Sequence, residues 1–144
     1  MLWSACLDQR ARGGKRGPSQ RGPHPAGYDA FSRGDTDTLR ELYHPDIVWH
    51  APGRSQLAGD HQGVDAVFGF FGQTMEMTGG NFGVEVHDVV ANDDHAVGLH
   101  KAHAERAGRT LEGNGTLVFH VRDGKVTEVW QYWADQYAAD ELFG

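Results

Sequence analysis

Few titratable side chains fall within the apolar stretches of this 144-residue chain, and three of them could move protons. Asp135 follows the aromatic run "VWQYWA", where Trp130, Tyr132 and Trp133 crowd its approach. Bulky rings desolvate a carboxyl and raise its pKa toward the working range, which suits a general acid/base. Asp135 also stands directly before a helical stretch from Gln136, and aspartate is a favoured helix N-cap, so both roles are open. His100 lies in the alternating run "HAVGLHKAHAER", and an imidazole with an ordinary pKa of ~6.5 reaches both protonation states near neutrality. His50, beside Trp49 and just ahead of Pro52-Gly53, is a third candidate base.

Strand pattern decides which of these meet. After Gly80 the hydrophobic period changes from about four to two, and turn signals at Asn92-Asp93-Asp94, Ala107-Gly108 and Asp123-Gly124 divide the stretch into four antiparallel strands. A two-residue turn at Ala107-Gly108 pairs Arg106 with Arg109, which sets His100 opposite Gly115 and Gly98 opposite Leu117. His100 then shares a face with Leu111, Leu117 and Phe119, where the glycines at 98, 113 and 115 leave room beside the imidazole. The other face carries Lys101, His103, Glu112, Asn114, Thr116 and His120, a polar set suited to solvent or to a second copy. An unbroken ladder from the Asp123-Gly124 turn puts Trp130 and Tyr132 on the cavity face and Trp133 and Asp135 on the other. A β-bulge between Trp130 and Asp135 would turn the carboxylate inward.

Ahead of these strands, a short helix ends at Gly34, and Asp35 caps a second that runs to about Tyr43, stopped by Pro45. A short strand from Ile47 to His50 and a polar loop, "RSQLAGDHQG", lead to a helix from Val64 to Met77. Its apolar stripe is a packing face, with Phe68 or Phe71 touching the cavity. A last short helix covers about residues 136–142. Helices, one strand, a helix and four long strands give an α+β class, a curved sheet wrapped around the helices with a cavity between.

Composition narrows the function. Residues 1–27 carry five Lys/Arg against one Asp, whereas the rest carries eight Lys/Arg against nineteen Asp/Glu. An acidic body lacks the clustered cations that nucleic-acid binding needs. Residues 1–25 read as a disordered Arg/Gly/Pro-rich leader, and residues 26–144 as one domain. Cys6 is the lone cysteine, which excludes a disulfide framework and fits a reducing cytoplasm. No apolar run approaches the ~20 residues of a membrane helix. There is no H-E-x-x-H, no phosphate-binding glycine loop and no G-x-S-x-G elbow. His100 and His103, three apart on a strand, face opposite ways, so neither a metal nor a cofactor is expected.

The segments "AFSRGDTDTLRELYHPDIVWHAPG", "LAGDHQG", "VFHVRDGKVTEVW" and "WADQYAADELFG" together resemble the SnoaL-like branch of the nuclear transport factor 2-like superfamily, relatives of polyketide cyclases and ketosteroid isomerases. The resemblance spans about residues 26–144 and implies a cone-shaped α+β barrel. In its cyclase branch an aspartate corresponding to Asp135 is the general acid/base. The isomerase branch's base, oxyanion acid and tyrosine fall at Ala51, Leu117 and Gly27 here, so that mechanism is not expected. Members open with a helix that lids the cone, which Pro23, Pro25 and Gly27 would cut short here. The expectation is a cytoplasmic protein binding a hydrophobic, carbonyl-bearing molecule and forming a homodimer through its sheet. Asp135, His100 or His50 would exchange protons without a cofactor. Trp49, Phe68, Phe71, Leu117, Phe119, Trp130, Tyr132 and Trp133 would contact the ligand. A ligand-binding or assembly protein without turnover is the alternative.

Overall fold

A computed structural model describes residues 23–144, with side chains from residue 27; the leader at 1–25 lies almost wholly outside the described residues. Helix α1, Pro23–Arg33, starts earlier than the sequence suggests. Pro23 and Pro25 fall in its first turn, where a missing N–H costs nothing, so they do not shorten it. Gly34, at φ +68°, ends it. Asp35 caps α2, Thr36–Leu42, by accepting a hydrogen bond from the Thr38 backbone N–H at 3.1 Å.

Strand β1 runs Tyr43–Ala51, longer than the expected Ile47–His50, and absorbs Tyr43 from the helix the sequence suggests. The polar loop that follows holds an unexpected short edge strand, β2, Gly59–Gln62, then α3, Val64–Met77. The meander is β3, Phe82–Ala91, β4, His95–Arg106, β5, Arg109–Arg122, and β6, Lys125–Trp133, closed by α4, Gln136–Phe143. One six-stranded sheet results, in the order β2-β1-β6-β5-β4-β3, antiparallel throughout except where β1 lies parallel to β6. The class is the expected α+β.

The β4–β5 turn pairs Arg106 with Arg109, His100 with Gly115 and Gly98 with Leu117. Ala107 and Gly108 both take positive φ, 52° and 80°, the geometry of a tight hairpin. Between β5 and β6 the register slips: Val121 pairs with Val126, but His120 pairs with Glu128. Thr127 is the extra residue, and its hydroxyl donates to the His120 carbonyl at 3.3 Å. The core lies between the concave sheet face and the helices, with Ile47, Val67, Val126 and Val129 fully buried. Among the described residues no helix is long and apolar enough to cross a membrane.

Candidate functional site

The concave face and the helices enclose a cavity of about 80 Å³, lined by residues of α1, β1, α3, α4 and strands β3 to β6. Its walls are mostly aromatic and aliphatic. Trp49 and Phe71 meet edge to face at 5.1 Å, Phe31 and Phe71 at 5.0 Å, and Tyr28 and Phe119 at 5.9 Å. Against this background the polar side chains of the wall stand out.

His100 is buried in that wall, as its register predicts. Its Nδ1 lies 3.3 Å from the hydroxyl of Tyr28, which α1 lays across the sheet. Two glycines make the pair possible. A Cβ on Gly98 would overlap the Tyr28 hydroxyl and ring edge, and one on Gly115 would sit 2.5 Å from His100 Nε2. Neither glycine needs a positive φ, so both serve close approach. The space expected beside the imidazole is thus taken up by the two side chains themselves. A Cβ on Gly113, in contrast, would meet nothing within 4 Å.

Burial sets the protonation of both groups. Desolvation disfavours the imidazolium and lowers the His100 pKa to about 4, so the ring is neutral at pH ~7. Burial, with a smaller contribution from Tyr43, raises the Tyr28 pKa far above the ordinary tyrosine value and keeps its hydroxyl protonated. The wall therefore presents a neutral imidazole bonded to a neutral phenol. A neutral imidazole carries one N–H and one lone pair, so the bond to Tyr28 fixes what Nε2 offers: a lone pair if Nδ1 holds the hydrogen, a donor if it does not.

On β6 the Thr127 bulge reverses the expected facing. Leu117 pairs with Gln131 and Gly115 with Trp133, so Gln131 and Trp133 line the cavity. Trp130 and Tyr132 turn outward instead: Trp130 stacks on His50 with ring centroids 5.1 Å apart, and Tyr132 is 50% exposed. Inside, the Trp49 indole N–H donates to Gln131 Oε1 at 2.9 Å. Of the other expected lining residues, Trp49, Phe71, Leu117 and Phe119 are in place. Phe68 is not; it stacks on Tyr43 at 6.3 Å and receives the Arg40 guanidinium at 4.6 Å from its centroid.

Asp135 lies outside the cavity. It is exposed, and its carboxylate accepts the Ala138 backbone N–H at 3.0 Å, capping α4. The bulge at Thr127 gives it the inward parity, but β6 ends at Trp133 and the chain has turned away before Asp135 is reached.

His50 points away from the cavity as well. Its Nδ1 is 2.6 Å from Asp60 on β2 and its Nε2 is 2.6 Å from Glu128 on β6, so both ring nitrogens meet carboxylates. Partial burial opposes the imidazolium, but the hydrogen bonds to Glu128 and Asp60, helped by their charges, outweigh it and raise the pKa above the ordinary histidine value. A ring donating both hydrogens to carboxylates is a charged clasp between strands rather than a free base. Among the described residues no cluster of three or more His, Cys, Asp or Glu side chains could hold a metal ion.

Sequence reasoning missed Tyr28 and Gln131. The signal for Tyr28 is the spacing Gly27, Tyr28, Phe31, the i, i+1, i+4 stripe of a helix packed on a sheet.

A curved mixed sheet folded over helices around an apolar cavity defines a cone-shaped α+β class, and relatives place the chain within it. Residues 26–129 match the SnoaL-like domain model, and the chain belongs to that family. It is 40% identical to Bal32a, from a soil-derived mobile gene cassette, covering 83% of this chain and 92% of that one with a TM-score of 0.80. A cystatin-like-fold protein from Xanthomonas campestris is 32% identical, with 82% and 92% covered and a TM-score of 0.78. Rv0034 of Mycobacterium tuberculosis is 31% identical over 117 residues, 81% of this chain and 89% of its own.

Proposed function

We propose that the cavity binds an apolar, carbonyl-bearing small molecule and that Tyr28 and His100 exchange protons with it without a cofactor. The carrying observation is the 3.3 Å contact of Tyr28 Oη with His100 Nδ1 in an otherwise apolar wall. With the hydrogen on Nδ1, that N–H donates to Tyr28 Oη, Nε2 offers a lone pair, and the phenol hydrogen is left for a ligand oxygen. Nε2 then takes a proton from the carbon beside the carbonyl. The C–H electron pair passes into an enolate whose oxygen accepts the Tyr28 hydrogen. Return of the proton from Nε2 to another carbon of a conjugated ligand isomerises it. Alternatively the enolate carbon attacks a second carbonyl, the C=O π pair moves onto that oxygen, and the alkoxide takes the proton from Nε2, which closes a ring and restores the neutral imidazole. A conjugate acid with a pKa of about 4 belongs to a weak base, but the enolate beside it would favour the imidazolium as it forms. Asp135, committed to its cap, has no part in this step.

The low His100 pKa also favours a second reading, a binder without turnover, since the fold alone does not fix chemistry. In either reading a second copy docks on the outer sheet face, where exposed Leu99 and Tyr132 share a row with Thr116. Sedimentation of the wild type against Tyr132→Glu tests that contact.

Exchange of the methyl hydrogens of 2-acetylnaphthalene in D2O, followed by proton NMR, tests the proton transfer. Exchange accelerated by the wild type and slowed ~100-fold or more by His100→Gln supports it. Binding with no accelerated exchange leaves the binder, and no binding refutes both.

A further inference from the structure

We infer that Gln131 is a fixed hydrogen-bond donor that reads an acceptor oxygen of the ligand on the cavity wall away from Tyr28 and His100. The inference rests on the reading of the cavity as a site for apolar ligands. An indole nitrogen can only donate, so the 2.9 Å contact from Trp49 Nε1 must be received by the amide oxygen of Gln131. Trp49 is itself buried and packed against Phe70 and Phe71, at centroid distances of 5.9 and 5.1 Å. The amide is therefore locked against flipping. Its oxygen is engaged, and its NH2 makes no hydrogen bond to any described residue.

Placement keeps this donor distinct from the proton-exchanging pair. Across β4, β5 and β6, one row is Gly98, Leu117 and Gln131, and the next is His100, Gly115 and Trp133. Two strand spacings put the backbones of β4 and β6 roughly 10 Å apart. An apolar molecule with acceptor oxygens at both ends, such as a diketone or an extended enone ester, meets a donor at each. A ligand group that can only donate finds no matching partner at Gln131. A neutral amide that cannot turn thus selects carbonyl over hydroxyl-hydrogen or methylene at one end of the ligand.

The probes are 2-acetylnaphthalene and 2-isopropenylnaphthalene, near-isosteres that differ in C=O against C=CH2. Binding is measured by NMR titration with the wild type, Tyr28→Phe and Gln131→Glu at about pH 8. The glutamate keeps an acceptor for Trp49 and replaces the donor by a second acceptor. The single carbonyl can lie at either donor, so a preference for the ketone of about three- to tenfold is expected in the wild type; it persists in Tyr28→Phe through Gln131 and falls in Gln131→Glu to the part that Tyr28 alone supports, while the alkene still binds. Unchanged alkene binding shows that the variant's cavity has kept its fold. Equal affinities in the wild type overturn the donor role and leave the cavity as an apolar site. A preference undiminished in Gln131→Glu and absent in Tyr28→Phe overturns it in favour of Tyr28. No binding of either probe to the wild type overturns the cavity reading itself, and the donor role with it.

Discussion

Acid should destabilise this fold through one residue more than any other of its kind. His100 titrates near the ordinary 6.5 in the unfolded chain and at about 4 when folded. Between those values the unfolded chain holds a proton that the folded chain does not, so stability falls as pH falls and is unaffected above the unfolded value. The whole gap corresponds to roughly 3 kcal/mol, of which about 2 kcal/mol is lost between about pH 7 and pH 5. Urea unfolding of the wild type and His100→Leu at both pH values isolates the effect, because every other titrating group contributes to both proteins and cancels in the difference. The wild type should lose about 2 kcal/mol relative to the variant over that interval. A difference that stays flat would mean that the imidazole titrates normally, hence that it is hydrated, and the dry Tyr28–His100 pair would have to be abandoned.

The clasp at His50 predicts the opposite limb. Its raised pKa means that its contribution is complete below the ordinary histidine value and lost as pH rises through the folded value, so His50→Gln should flatten a decline of wild-type stability above neutrality in the same unfolding assay. Gly115→Ala drives a methyl to 2.5 Å from His100 Nε2 and should cost about 1–3 kcal/mol, whereas Gly113→Ala, with open space around its Cβ, should stay within about 0.5 kcal/mol of wild type. Asp135→Ala removes the cap of α4 and should lower stability by about 1 kcal/mol. Asp135→Asn keeps the cap and should leave both melting temperature and ketone exchange unchanged; a large fall in exchange would return the carboxylate to the chemistry.

The hairpin at Ala107-Gly108 is legible in the sequence because a two-residue turn leaves one register, and that register alone puts His100 on the inner face. The same counting fails one strand later. Nothing in the residue types around "GKVTEVW" marks Thr127 as the extra residue, because a threonine in a bulge and a threonine in a ladder satisfy the same local preferences. Strand β2 is hidden for a related reason: Gly-Asp-His-Gln has no apolar alternation, and only its pairing with β1 makes it a strand. Asp135 is ambiguous in sequence because a cap and a general acid require the same side chain, and only the end of β6 two residues earlier separates them. The bulge has the largest consequence. Slipping β6 by one residue exchanges Trp130 and Tyr132 for Gln131 and Trp133, so an amide whose orientation Trp49 dictates takes the place of one indole, and a second indole takes the place of a phenol. The polarity of the β6 wall therefore depends on a backbone irregularity some four residues away, at Thr127, and not on the aromatic motif that makes the strand conspicuous in the sequence.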